Sequence, residues 1–96
     1  MYMVVSKWGI VAGHEAEVAE KGRAVRDVLR RQPGVQFVYE FKNEDGVFVA
    51  VIAYDDEAAY KRIIQDPNGA FMQAVSQYRL EEHAVWVGSE RGEAID

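Results

Sequence analysis

The chain has 96 residues, with eleven Lys and Arg against sixteen Asp and Glu and a formal net charge of −5. That length makes a single domain with a modest core, and 49% hydrophobic with 28% charged residues excludes disorder and low complexity. The lack of cysteine excludes disulfides, thiolate metal sites, iron–sulfur clusters and cysteine nucleophiles. An acidic balance with no basic block argues against nucleic acid or an anionic membrane as partner.

Met1 to Trp8 lacks the charged and long apolar regions of a signal peptide. The longest apolar run, Val47 to Tyr54, falls far short of the ~20 residues of a membrane helix. The expectation is a soluble, cytoplasmic protein. Val and Ile together number nineteen against two Leu, a bias toward residues that suit a pleated surface.

Tyr2 to Trp8 reads as the first strand, extending toward Val11 and ended by Gly13. From His14 the pattern turns helical. Val18, Gly22, Val25 and Leu29 recur at spacings of three and four, with acids early and arginines late on the other face. Gly22 within that stripe costs about 1 kcal/mol relative to Ala and marks a close helix–sheet approach. Pro33-Gly34 stops the helix. Val35 to Lys42 alternates, with Val35, Phe37, Tyr39 and Phe41 on one face and a largely polar set on the other. Asn43 to Gly46 is a hairpin turn. Val47 to Tyr54 does not alternate, so both of its faces should be buried. Asp55 or Asp56 caps a short helix through about Gln65. Asp66-Pro67 signals a third helix, Ala70 to Tyr78, with Phe71, Ala74, Val75 and Tyr78 on its apolar side. His83 to Gly88 is the last strand, which makes residues 1–88 the domain and 89–96 a frayed polar tail.

This order is β-α-β-β-α-β with its second helix broken in two, the ferredoxin-like α+β arrangement with an antiparallel sheet in the order 4-1-3-2. A central third strand should be apolar throughout and an edge second strand should alternate, and both patterns are present. Two helical segments cover only one face of such a sheet. The other face is apolar too, so a second copy packed sheet to sheet is expected.

The chain resembles the antibiotic-biosynthesis-monooxygenase-like group of the dimeric α+β barrel superfamily over residues 2–88. The resemblance is carried by Val11-Ala12-Gly13 after strand one, Pro33-Gly34-Val35 before strand two, the passage Val51 to Tyr60, and the helix containing Phe71. It implies a homodimer and, among several activities, cofactor-independent oxygenation of polyketide quinones. The haem-degrading branch would require Asn, Trp and an axial His where this chain has Ser6, Ile63 and Val75, so that activity is not expected.

The same resemblance implies a substrate pocket between sheet and helices, formed by Ser6, Trp8, Tyr54, Tyr60, Ile63, Phe71, Val75 and Tyr78. Such an aromatic pocket with a few hydroxyls suits a flat aromatic or polyketide-like compound. Ser6, Trp8 and Tyr60 are the candidates for holding a deprotonated substrate in a dry site. His14 and His83 are brought by the topology to one end of the sheet, beside Glu15, Glu81 and Glu82, and His83 is a candidate proton carrier. Spacing alone fixes no ligand geometry there, so neither a metal nor a cofactor is expected. The primary reading is a cofactor-independent monooxygenase. A non-catalytic binding protein and a small isomerase with His14 or His83 as proton shuttle are the alternatives.

Overall fold

A computed structural model describes residues 1–96. Strands β1 (Tyr2–Ile10), β2 (Val35–Lys42), β3 (Phe48–Tyr54) and β4 (Ala84–Glu93) form one antiparallel sheet in the order β2-β3-β1-β4. Read from the other edge this is 4-1-3-2, the ferredoxin-like order. Helices α1 (Glu15–Arg30), α2 (Glu57–Ile64) and α3 (Ala70–Gln77) cover one face of it. The molecule is only 17 Å across its thin dimension, the depth of one sheet and one helical layer.

The stripe Val18, Gly22, Val25 and Leu29 is the buried side of α1. Leu29 joins Tyr2, Val4, Val38, Ile52, Tyr54, Ala59 and Ile63 in the main core. A smaller cluster, Val18, Phe48 and Ala84, packs with Trp8, Ile10 and Leu80 toward the other end of the sheet. Asp56 caps α2 by accepting a hydrogen bond from the Ala59 amide at 2.8 Å. Arg30 reaches from α1 to the edge strand β2, donating from Nη2 to the Val38 carbonyl at 2.7 Å. That bond occupies an acceptor on an otherwise unpaired strand edge.

Three expectations are corrected by the fold. The residues after Gly88 are not a frayed tail, because β4 continues to Glu93 and pairs with β1 back to Tyr2. Backbone pairing needs no apolar side chains, and the Ala94 amide donates to the Met1 carbonyl just beyond. Asp66-Pro67 does not cap α3. Asp66 closes a turn by accepting from the Asn68 amide, and the helix begins at Ala70 with Gly69 at its N-cap. Tyr78 is exposed rather than on a buried face of that helix. A 3₁₀ turn, Leu80–Glu82, entered through left-handed Arg79, then leads into β4.

The register assigns faces. Val4, Ser6 and Trp8 pair with Ile52, Ala50 and Phe48 beneath the helices, while Met3 and Val5 pair with Ala53 and Val51 on the opposite side. β3 is buried along both faces, with Val51 alone half-buried. On β2 the aromatic residues Phe37, Tyr39 and Phe41 lie on the face without helices, leaving Tyr39 66% and Phe41 54% exposed.

Gly34 joins α1 to β2 with a φ of +97°. Its carbonyl accepts from the Asp55 amide at 2.8 Å, and an added Cβ would stand 2.9 Å from the Ala59 Cβ. Both the left-handed backbone and the contact oppose a side chain. Gly34→Ala should therefore lower stability by about 1–3 kcal/mol. Urea unfolding checks this, and an unchanged midpoint would contradict it.

Candidate functional site

Between the two core clusters lies a cavity of about 370 Å³, roofed by α1 with contributions from Ile64 and Phe71. The sheet explains why it is there. One cross-strand row runs Ser89, Ser6, Ala50, Glu40, three of its four side chains being small. The row on one side is Arg91, Val4, Ile52, Val38, and on the other Trp86, Trp8, Phe48, Lys42. A short row between two bulky rows leaves a trough that the helix above does not fill.

Gly22 faces this trough and allows an ion pair to enter it. Arg26 on α1 donates from Nη1 to Oε1 of Glu40 on β2, with both side chains under 20% exposed. An added Cβ at Gly22 would meet Arg26 Nη1 at 2.9 Å. The glycine therefore makes room for the guanidinium, rather than for the close backbone approach its position suggested. Burial pushes the Glu40 carboxyl above its ordinary range, and Arg26 opposes that rise.

At the far end Tyr54 and Tyr60 meet edge-on with centroids 5.4 Å apart, and the Arg91 guanidinium lies 5.8 Å from the Tyr60 ring centroid. The Tyr54 hydroxyl is buried and has no hydrogen-bond partner. Burial raises its pKa, holding it as a neutral O–H donor. An unpartnered buried hydroxyl normally costs free energy. Tyr54 is among the residues around the cavity, and its hydroxyl is closed to solvent.

Of the residues singled out from sequence, Ser6, Trp8, Tyr54, Tyr60 and Phe71 line the cavity. Ile63 is packed in the main core and its neighbour Ile64 lines the cavity instead. Val75 is half-buried and, like Tyr78, is absent from the lining. His83 is outside it as well, its ring stacked on His14 with centroids 3.6 Å apart. Sequence reasoning missed Arg26, Glu40, Ser89 and Arg91. The available signal was Glu40 sharing a strand face with Val38, opposite the aromatic residues, and so pointing toward the helices.

No family model matches the chain, and no curated protein does either. Solved structures do match. The cofactor-independent oxygenase SnoaB from Streptomyces nogalater superposes with a TM-score of 0.80 at 18% identity, covering 99% of this chain and 93% of that one. An antibiotic biosynthesis monooxygenase gives 0.79 at 19% identity over the whole of both chains. A variant of MhuD with two manganese protoporphyrin IX bound per active site gives 0.79 at 13% identity, over 99% of this chain and 95% of that one. The chain thus has the α+β, ferredoxin-like fold of the antibiotic biosynthesis monooxygenase structures. Its residues do not fit a haem ligated through imidazole, since neither histidine reaches the cavity and Val75 lies off it.

The ion pair generates a pH-dependent prediction. The folded-state pKa of Glu40 is raised, so its contribution to stability is present at acid pH and lost as pH rises through the folded value. Removing Arg26 raises that value further. Arg26→Met should therefore cost about 1–3 kcal/mol at pH 7 and much less at about pH 3, below the ordinary carboxyl range, where the carboxyl is protonated. Thermal unfolding of variant and wild type at both pH values measures the difference, and a pH-independent loss would contradict the assignment.

Proposed function

We propose that the chain is a homodimeric, cofactor-independent monooxygenase acting on a small aromatic or polyketide-like compound. The observation that carries this reading is a mostly apolar cavity whose polar lining includes an ion pair, Arg26–Glu40, together with Ser6, Ser89 and Arg91. Apolar walls suit a flat ring system, and a few fixed polar groups orient it.

The pair also supplies a proton-transfer device. Glu40, its acidity weakened by burial, accepts a proton from an acidic ring carbon or phenol of the substrate. The neutralised carboxyl then releases Arg26, whose guanidinium faces the new anion. The carbanion adds dioxygen at that ring carbon, and Glu40 returns its proton to the peroxide; loss of the carbon's second hydrogen then breaks the O–O bond, leaving one oxygen atom as a ring carbonyl and the other as water. Ser6 and the Trp8 indole NH donate hydrogen bonds to a substrate carbonyl along the floor. Tyr60 packs edge-on against Tyr54 and holds that ring in place. A lone oxygenase domain of this kind needs its second sheet face covered. The exposed Tyr39, Phe41, Val85 and Val87 support a second copy as that cover.

Oxygen uptake with anthrone-type substrates tests the reading. Uptake should depend on the protein, fall by about 100-fold or more in Glu40→Gln, and fall about tenfold in Ser6→Ala. Tyr54→Phe should be at least as stable as wild type, because it removes an unsatisfied buried hydroxyl. No uptake above buffer across a broad panel would overturn the proposal. Substrate analogues that raise the melting temperature without oxygen uptake would make this a binding protein on the same cavity.

A further inference from the structure

His14, Glu17 and His83 converge outside the cavity, at the junction of α1 with the start of β4. Each offers a potential ligand atom, and these atoms all lie within 4.8 Å of one another. His14 Nδ1 is 2.9 Å from Glu17 Oε2, and His83 Nε2 is 3.8 Å from the same oxygen. Ligand atoms at ~2.0–2.1 Å around a tetrahedral zinc stand roughly 3.3 Å apart. The observed separations bracket that value.

The backbone holds the two histidines together through a single residue. The Val11 amide donates to the His83 carbonyl at 2.9 Å, and the Val11 carbonyl accepts from the His14 amide at 3.0 Å. Glu17 is oriented as well. Lys21 binds its Oε1 at 2.9 Å, which leaves Oε2 turned toward the imidazoles. Glu82 Oε1 lies 3.5 Å from His83 Nε2, and Glu15 and Glu81 are nearby in sequence, so the surroundings remain acidic despite Lys21.

We infer that His14, Glu17 and His83 form a binding site for a borderline divalent transition ion, of which zinc is the representative. Two imidazole nitrogens and one carboxylate oxygen favour such an ion over magnesium or calcium, which take oxygen donors. Glu82 or water completes the coordination. The rings are stacked with 13° between their planes, whereas each nitrogen lone pair lies in its own ring plane. Capture therefore turns one ring out of the stack, and His14, 38% exposed, has the room. The ion would tie the start of α1 to the start of β4, next to Val18 and Ala84, both of which line one end of the cavity. The site uses none of the proposed catalytic groups and stands independently of that reading.

Calorimetric titration of the tag-free, full-length protein with zinc chloride tests it directly, with the melting temperature as second readout. The expected result is one zinc per chain and a rise in melting temperature with zinc concentration. Magnesium should produce neither effect. His14→Gln, His83→Gln and Glu17→Gln should each weaken zinc binding by about tenfold or more, whereas Glu15→Gln should change it little. Circular dichroism establishes that each variant is folded, and cobalt substitution gives visible bands that report the nitrogen–oxygen coordination. No binding at about a hundredfold molar excess of zinc would overturn the inference. So would stoichiometric binding that persists in the folded His14→Gln, His83→Gln double variant.

Discussion

The constraint on which the structure depends is that β3 is apolar on both faces. Six of its seven residues are buried, and Ala53 and Tyr54 are fully so. A strand of this kind is stable only at the centre of a sheet with material on each side. Its position between β1 and β2 satisfies the first requirement, and the helices cover the face carrying Phe48, Ala50, Ile52 and Tyr54. On the other face Val49 and Ala53 are buried within the single chain, but the Tyr39 and Phe41 side chains beside them remain open to solvent. That imbalance is the observation behind the proposed second copy.

The cavity follows from the same sheet. Were Ser6, Ala50 and Ser89 as large as the rows on either side, the two core clusters would merge and the trough would close. Small residues in register across three adjacent strands keep it open, and Gly22 above them lets Arg26 descend to Glu40. The site is thus an interruption of the core rather than an addition to its surface. This is why its polar groups are desolvated enough for burial to weaken the acidity of both Glu40 and Tyr54.

Much of the fold was legible because burial leaves a periodic trace. The α1 stripe and the unbroken apolarity of β3 depend on neighbours in sequence and lie where the pattern placed them, and the cap, left open between Asp55 and Asp56, falls on Asp56. The second half of β4 was not legible. Its Ser-Glu-Arg-Gly-Glu segment pairs through the backbone and sends alternate side chains to a polar cavity rim and to the open face. The site divided in the same way. Aromatic residues on the inward faces announced themselves, whereas Arg26 and Glu40 meet only because α1 crosses β2. The two histidines were placed at one end by topology, but their shared partner, Glu17, lies one helical turn from His14 and was not among the acids singled out.

On the proposed function the open face of this sheet is an interface between two copies. Light scattering of the wild-type chain at micromolar concentration measures it most directly. The expected mass is about twice the 10.9 kDa of one chain, falling to the single-chain mass in Phe41→Glu, where a charge on that face would be buried without a partner in the dimer. A folded, soluble wild-type monomer of 10.9 kDa under the same conditions would contradict it.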